Sequence, residues 1–308
     1  MSIKIQGFGG PVTWILRKKC SAFTSRVSLT VAGKIYNKKI KEYIEWFLKS
    51  TETPPFKFIM FETVNRCNGT CSFCPASKHT EKRPYKKMPD ETFLKVLEEL
   101  KAADWRGTVF LQVNNEPFVD PRLIRFAQLT KEKLPSCRLF IITNGTLLNE
   151  KLLLDLSQYT DELVINDYSE KYRLSDPIKK IYRYVKKNKK AFEKMDICIK
   201  RRYSGEILAT RAGNAPNKPK KNNKINFPCI YPFTDLIVFP DGKVGMCCND
   251  CYEVTDFGNV NEESIFQIWG SEKFTKLRES VKSSREGYPF CRECDVVDAG
   301  SREKVIKV

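Results

Sequence analysis

The chain has 308 residues, of which 41% are apolar, and this length can bury the core of one large domain and a smaller one. No apolar run approaches the roughly 18 residues that a membrane-spanning helix needs, and residues 1–33 lack the pattern of a signal peptide, so we predict a cytoplasmic protein without a membrane span. The net charge of +17 is concentrated in residues 1–50 (net +8) and 179–224 (net +13). Such basic segments attract phosphates, nucleic acid or anionic membranes, or are simply solvated faces.

Strand-like and helix-like segments alternate from residue 56 to residue 200. In chain order we predict strands at 56–64, 108–113, 138–143, 162–165 and 197–200, and helices at 90–103, 121–134, 150–158 and 178–194. A repeated βα order requires parallel strands with right-handed crossovers. Cys67, Glu116, Asn144 and Asn166 end or follow these strands, and barrel active sites lie at that edge. A partial (β/α) barrel therefore fits better than a two-sided sheet.

The βα order stops after residue 203. Residues 213–228 are rich in Asn, Pro and Lys, which is typical of a linker or a mobile loop. Beyond them, residues 236–246 have the pattern of a β-hairpin, and residues 264–281 have the apolar spacing of a helix. We interpret the start of the chain as an appended helical segment, because residues 43–48 have helical spacing. The predicted units are 1–55, 56–225 and 226–308.

Three cysteines, Cys67, Cys71 and Cys74, follow the first strand of the βα series at C-x3-C-x2-C spacing. Three thiolates in one short loop can hold three irons of a [4Fe–4S] cluster and leave the fourth iron open to a small molecule. Zinc sites mostly use paired C-x2-C ligands that close a tetrahedron, so zinc fits this spacing poorly. The 12 cysteines of the chain, without a signal peptide, indicate metal ligands rather than disulfides.

A second cysteine set flanks the predicted hairpin and follows the predicted C-terminal helix. Its members are Cys229, Cys247, Cys291 and Cys294. Four thiolates suit either a zinc ion or a complete [4Fe–4S] cluster, and their spacing alone does not decide between the two.

The first cysteine motif, after the first strand of a βα series, resembles the signature of the radical S-adenosylmethionine (radical SAM) enzymes. Residues Asn114-Asn115-Glu116-Pro117 resemble the Gly-Gly-Glu-Pro segment of that family, with Asn-Asn in place of Gly-Gly. The resemblance implies that Glu116 holds the methionine ammonium of SAM. It also implies a place beside the adenine for Phe73, and contacts to the SAM ribose or carboxylate for Asn144 and Asn166.

The chemistry that this resemblance implies belongs to the cofactor. In the family, a reduced cluster with SAM on its open iron yields methionine and a 5′-deoxyadenosyl radical, which abstracts a hydrogen atom from an unactivated C–H bond. An external one-electron reductant of the flavodoxin or ferredoxin type is then expected as a partner.

The C-terminal part resembles the SPASM/twitch extension of radical SAM enzymes, in the shorter twitch form. The resemblance is carried by residues 242–250, by Phe257-Gly-Asn-Val260 and by Cys291-x2-Cys294. It implies that the second cysteine set holds an auxiliary [4Fe–4S] cluster rather than zinc. The implied fold is α/β: a partial (β/α)6-type radical SAM barrel with a small C-terminal α+β twitch/SPASM subdomain.

Twitch proteins that the chain resembles include dehydrogenases and epimerases of aminoglycoside sugars and cyclitols, and peptide-modifying enzymes. An auxiliary cluster that accepts the substrate's electron gives a dehydrogenase, whereas a thiol that returns a hydrogen atom gives an epimerase. Cys248 is our candidate hydrogen donor, and Cys251 is a second spare thiol. Arg211 is a candidate for binding an anionic group or assisting deprotonation of an alcohol.

We therefore predict a radical SAM oxidoreductase or epimerase that acts on a carbohydrate-like substrate. Phosphate or a nucleotide on that substrate would explain the basic strand ends. Modification of a ribosomal peptide is an alternative, although residues 1–55 do not clearly read as a peptide-binding wing. RNA modification is a third, suggested by the charge of +17, but we find no appended RNA-binding module and do not expect a nucleic-acid partner.

Overall fold

The computed structural model describes residues 4–6, 32–169, 173–218 and 228–296. Its strands are β1 (Lys4–Gln6), β2 (Phe58–Phe61), β3 (Thr108–Phe110), β4 (Arg138–Thr143), β5 (Glu162–Tyr168), β6 (Asp196–Arg202), β7 (Asp235–Val238) and β8 (Val244–Gly245). Its helices are α1 (Ala32–Lys49), α2 (Asp90–Ala102), α3 (Leu123–Lys133), α4 (Glu150–Ser157), α5 (Asp176–Lys187), α6 (Tyr231–Thr234), α7 (Ile265–Gly270) and α8 (Glu272–Val281). Short 3₁₀ segments lie at Pro117–Val119, Lys189–Phe192 and Pro289–Cys291.

The strands form one sheet in the order β1-β6-β5-β4-β3-β2-β7-β8. All neighbouring strands are parallel except β7 and β8, which form an antiparallel hairpin. The predicted βα series and α/β class are confirmed. Because the carboxyl ends of parallel strands meet at one edge, the loops after β2, β3 and β4 lie side by side.

Side chains alternate between the two faces of this sheet. Those on one face join the main core with the helices, and they include Ile59, Val109, Leu139, Ile141, Leu163, Ile165, Ile197 and Ile199. Those on the inner face form a separate apolar cluster, which we call the inner cluster: Phe58, Met60, Phe110, Ile237 and Phe239. The inner cluster closes the interior of the partial barrel below the polar edge.

The start of the chain contributes a strand as well as the expected helix. Helix α1 includes the predicted helical residues 43–48, and it buries Tyr43 and Phe47 in the main core. Residues Lys4–Gln6 pair in parallel with β6 and extend the sheet at its edge. The sequence Lys-Ile-Gln has one apolar residue, which is too little alternation to predict a strand.

The C-terminal hairpin is part of the same sheet, since β7 pairs with β2 from Phe58 opposite Asp235 to Phe61 opposite Val238. The single helix expected at 264–281 is two helices, because Ser271 ends α7 and caps α8 with its hydroxyl. The predicted linker falls largely on residues 219–227, outside the described residues. The unit boundaries near 55 and 225 stay predictions. None of the described helices is long and apolar enough to cross a membrane.

Candidate active site

The edge formed by the carboxyl ends of the strands brings the first cysteine loop against the ends of β3 and β4. The amide Nδ2 of Asn144 donates to Asn68 Oδ1 at 2.8 Å and lies 4.0 Å from Cys67 Sγ. The backbone N of Glu116 donates to the carbonyl of Arg66 at 3.0 Å. The chain thus places the predicted cluster ligands beside two of the predicted SAM contacts.

Cys67, Cys71 and Cys74 are free and partly exposed. Burial raises the pKa of Cys67 to about 11 and that of Cys71 to about 12, and the neighbouring thiols of the loop add to both shifts. The backbone N of Gly69 donates to Cys67 Sγ at 3.2 Å. Cys74 raises the pKa of both Cys67 and Cys71, so the three thiols lie close to one another, and buried thiols ionise more readily when a cation such as iron binds them. The loop therefore fits the implied cluster.

The carboxylate of Glu116 is buried at the end of β3, with 2% of the residue exposed. It accepts hydrogen bonds from Thr143 Oγ1 at 2.5 Å, from the backbone N of Asn144 at 2.7 Å and from the backbone N of Phe118 at 3.3 Å. Burial raises the pKa of Glu116, and these donors oppose the shift. A carboxylate has about four lone-pair positions, so a further donor can still bind. This geometry suits the expected ammonium contact.

Several buried polar atoms near this edge have no hydrogen-bond partner among the described residues. They are Gln112 Oε1, Asn114 Nδ2 and Asn166 Oδ1. Buried polar atoms are nearly always paired, so these atoms mark a place for a polar ligand. Asn166 was predicted from sequence as a SAM contact, whereas Gln112 was not singled out.

The aromatic ring of Phe73 lies 5.8 Å from that of Tyr168, two residues after Asn166 on β5. The guanidinium carbon of Arg202 lies 5.8 Å from the same Tyr168 ring. Phe73 and Asn166 are therefore on one side of the site, joined by Tyr168. Sequence reasoning missed Tyr168. The signal that could have found it is its spacing of two residues from Asn166, because side chains two positions apart on a strand lie on the same face.

The second cysteine set is buried and comes from three separated segments. Cys229 precedes α6, Cys247 follows β8, and the other two follow α8. Burial raises the pKa of Cys247, and the thiols of Cys248, Cys229, Cys291 and Cys294 raise it further. All four predicted ligands are therefore near enough for their charges to interact. Among the described residues, no three His, Cys, Asp or Glu side chains converge as the ligands of a single metal ion would. A [4Fe–4S] site does not require such convergence, because each thiolate binds a different iron.

Arg211 links the site at the strand ends to the C-terminal part. Its Nη2 donates to the carbonyl of Cys248 at 2.9 Å, to Cys251 Sγ at 3.0 Å and to Asn114 Oδ1. Burial by itself would lower the pKa of Arg211, but the thiols of Cys251, Cys248 and Cys74 raise it. The guanidinium therefore stays protonated, and it can donate hydrogen bonds but cannot accept a proton.

The backbone around Arg211 is strained, with φ of 53° at Arg211 and 54° at Ala212. Left-handed backbone at two consecutive non-glycine residues costs free energy, and such strain persists mainly at functional sites. The strain supports a role for Arg211 beyond packing.

The two spare thiols lie in different surroundings. Cys248 packs against the inner cluster. Cys251 is fully buried, and its Sγ lies 3.4 Å from Asn114 Oδ1, beside the Arg211 guanidinium. Arg211 contacts both residues, through the Cys251 thiol and the Cys248 carbonyl, so the structure adds Cys251 to Cys248, the candidate that sequence reasoning had favoured.

A buried ionic group, which we call the Arg83 network, joins the barrel to the C-terminal part. Arg83 pairs with Glu62, Glu81 and Glu253, each at 2.8 Å. Glu62 also accepts from the backbone N of Asn114 at 3.2 Å. Sequence reasoning missed this network, because its members are separated by as many as 191 positions along the chain.

Comparison with known proteins agrees with the family that the sequence motifs indicated. The family model of the radical SAM superfamily matches residues 61–206, and that of the SPASM iron–sulfur cluster-binding domain matches residues 229–295. The chain belongs to the radical SAM superfamily and carries a SPASM domain.

One known relative and two solved structures show what the chain is similar to. It is 27% identical over 251 residues to the S-adenosyl-L-methionine-dependent 2-deoxy-scyllo-inosamine dehydrogenase of Niallia circulans, covering 81% of this chain and 96% of that protein. The crystal structure of BtrN in complex with AdoMet and 2-DOIA aligns with a TM-score of 0.67 and 26% identity, covering 79% of this chain and 94% of that one. The anSMEcpe structure with bound AdoMet, at a TM-score of 0.54 and 14% identity, covers 78% and 85% and shows the fold alone.

Proposed function

We propose that this radical SAM enzyme oxidises a secondary alcohol of a cyclitol or another carbohydrate-like substrate to a ketone. The observation that carries the proposal is the guanidinium of Arg211, which lies at the ends of the barrel strands and bonds to the segment that follows Cys247. The similarity to a dehydrogenase over 96% of that relative's length supports it.

The two cysteine sets fit the cofactors of this reaction. Cys67, Cys71 and Cys74 would hold a [4Fe–4S] cluster, and Cys229, Cys247, Cys291 and Cys294 would hold an auxiliary one. When bound, the first cluster and SAM supply a 5′-deoxyadenosyl radical that takes a hydrogen atom from a C–H bond, and the auxiliary cluster supplies an acceptor for one electron. The electron that starts each turnover would come from an external flavodoxin or ferredoxin.

The chain's own residues would bind and orient SAM. Glu116 has a lone pair left for the methionine ammonium, and a charge-assisted hydrogen bond of this kind is worth about 1.5–3 kcal/mol. The unpartnered Oδ1 of Asn166 can accept from a ribose hydroxyl. Phe73 offers an aromatic face beside Tyr168, against which an adenine can stack.

Arg211 and Asn114 would orient the substrate hydroxyl. Oxidation of a secondary alcohol to a ketone would transfer one hydrogen atom from carbon to the 5′-deoxyadenosyl radical, one proton from oxygen to solvent water and one further electron to the auxiliary cluster. A protonated guanidinium stabilises the oxygen as that proton leaves, and Asn114 Nδ2 is a second donor without a partner among the described residues. The inner cluster below keeps water away from the reacting carbon.

The test is an anaerobic assay with reconstituted enzyme, dithionite, SAM and a panel of cyclitols and aminosugars that includes 2-deoxy-scyllo-inosamine. We expect 5′-deoxyadenosine and a ketone in equal amounts. Arg211→Gln should lower the yield of ketone at least about tenfold, because the variant loses a charged hydrogen-bond donor to the oxygen in the transition state. Arg106→Gln is the matched control, because Arg106 is an exposed arginine that pairs with Asp104. Turnover of a peptide with none of the alcohols would overturn the proposal.

The position of Cys251 favours epimerisation as a second candidate. Its thiol could return a hydrogen atom to the substrate carbon radical; the resulting thiyl would then take one electron from the external reductant and one proton from solvent. This route predicts that, in D₂O, the inverted carbon of the product carries deuterium from solvent. In Cys251→Ala the inverted product should no longer form. A dehydrogenase should form ketone in that variant as before.

A further inference from the structure

Arg285 lies in the loop after α8 and is buried, with 4% of the residue exposed. Its Nη1 lies 3.2 Å from Cys294 Sγ. Its charge interacts most strongly with the thiols of Cys229, Cys294 and Cys291, all members of the second set. Arginine is rarely buried to this degree unless its charge is compensated, so three cysteine ligands in the ionised state are its natural counter-charge.

The first set has different hydrogen-bond donors. The donors to Cys67 Sγ are the backbone N of Gly69 and, at 4.0 Å, the amide of Asn144, and both are uncharged. At the second set, the donor to Cys294 carries a permanent positive charge. The charges of Arg202 and Arg211 also act on the first set, near Cys71 and Cys74. The second set differs in that a guanidinium donates directly to one of its sulfur atoms.

Reduction adds one negative charge to a cluster. A fixed positive charge that donates to a ligand sulfur stabilises the reduced form more than the oxidised form, and hydrogen bonds to sulfur are one of the ways in which proteins set such potentials. We propose that Arg285 is a positioning residue that raises the reduction potential of the auxiliary cluster through its hydrogen bond to Cys294. The proposal rests on the auxiliary cluster of the proposed function and is independent of the substrate.

A higher potential makes the auxiliary cluster a better electron acceptor. Oxidation of an alcohol needs such an acceptor for its last electron, so Arg285 would favour the dehydrogenase outcome. Sequence reasoning gave no sign of this residue, which stands in the polar stretch Ser-Ser-Arg-Glu-Gly.

The test uses the full chain with Cys67, Cys71 and Cys74 changed to Ala, so that only the auxiliary cluster remains. An anaerobic redox titration followed by electron paramagnetic resonance measures its potential. In Arg285→Gln we expect the ratio of reduced to oxidised cluster at a fixed potential to fall about tenfold, a shift of about 59 mV to more negative potential for a one-electron couple. Lys282→Gln is the charge-matched control, since Lys282 is exposed and lies three residues away, and it should not change the potential.

A second measurement needs no substitution at Arg285. In protein grown with ¹⁵N-guanidino arginine, pulsed resonance on the reduced cluster should detect a ¹⁵N coupling through the N–H···S contact. An unchanged potential in Arg285→Gln with its iron intact would overturn the proposal. If that variant does not hold iron, the labelled protein decides, and absence of the ¹⁵N coupling would overturn the proposal. Zinc in place of iron at this site would also overturn the proposal. Neither readout uses substrate, so a failure of the proposed alcohol oxidation leaves both results valid.

Discussion

The two cysteine sets differ in how the chain assembles them. The first occupies eight consecutive residues after β2, is partly exposed, and lies beside buried polar atoms that have no partner among the described residues. The second is gathered from three segments, is buried, and has a guanidinium against one of its thiols. An open site can admit SAM and substrate, whereas a closed site can exchange electrons but not ligands. The difference supports the proposal that the first set serves radical generation and the second electron transfer.

The largest effect is expected at the open set. Cys71→Ala removes one of its three ligands, so 5′-deoxyadenosine should become undetectable and the iron content should fall by about four per chain. Cys137→Ala is the control, because Cys137 is a buried thiol of the main core and should keep full iron and SAM cleavage. Full SAM cleavage by the Cys71 variant would show that the open set is not the radical-generating site.

The closed set should respond differently to the loss of one ligand. Cys247→Ala should also lose about four irons per chain while SAM cleavage continues, because the first cysteine loop takes none of its contacts from Cys247. Ketone formation should stop, since the electron acceptor is gone. Iron analysis and product assays on one preparation check this. Loss of SAM cleavage in this variant would mean that the two sets do not act separately.

Glu116→Gln tests the polar surroundings of the open set. It removes the negative charge that is expected to face the methionine ammonium, so the Kd for SAM should rise about 30-fold, corresponding to about 2 kcal/mol. Equilibrium binding of SAM to the cluster-loaded protein measures it. Glu132→Gln, at an exposed position on α3, should leave the Kd unchanged. An unaltered Kd in the Glu116 variant would place the ammonium elsewhere.

The Arg83 network, which joins the barrel to the C-terminal part, predicts a pH dependence of stability. Burial raises the pKa of Glu62 from 4.5 to about 7, against the attraction of Arg83. Arg83 keeps two other carboxylates, so it remains charged whether or not Glu62 is ionised. Between pH 4.5 and about 7 the folded state then binds more protons at Glu62 than the unfolded state does, so the free energy of unfolding should fall as pH rises, by at most about 3 kcal/mol.

Thermal unfolding over this pH range, under anaerobic conditions, measures the slope. Glu62→Gln resembles the protonated form, so its profile should be flatter and its stability at pH 8 should exceed that of the parent. A parent and a variant with the same slope would show that Glu62 does not titrate in this range.

The smallest effect is expected for Cys248→Ala. Cys248 packs against the inner cluster and its thiol is not needed for alcohol oxidation, so the rate of ketone formation should not change. If Cys248→Ala forms no product while Cys251→Ala forms product at the parent rate, Cys248 is again the candidate hydrogen donor.

The fold was largely predictable because its signals are local. The βα order from residue 56 to residue 200 follows from apolar periodicity, and it placed Cys67, Glu116 and Asn144 at one edge, where the structure has them in contact. The strand Lys4–Gln6 was not predictable, because three residues carry no period and its partner β6 is remote in sequence. Likewise, no local pattern shows that β7 joins β2 rather than forming a separate sheet.

The sequence by itself determined the open cysteine loop, because all three ligands and their spacing lie within eight residues. Only the tertiary structure brought the four buried cysteines near one another, put the Cys251 thiol within hydrogen-bond distance of Arg211, and placed Arg285 against Cys294. The physical reason is that a buried charge or thiol needs a partner, and the fold supplies that partner from elsewhere in the chain. Such a pairing depends on which segments the sheet holds side by side, and spacing along the chain does not record it.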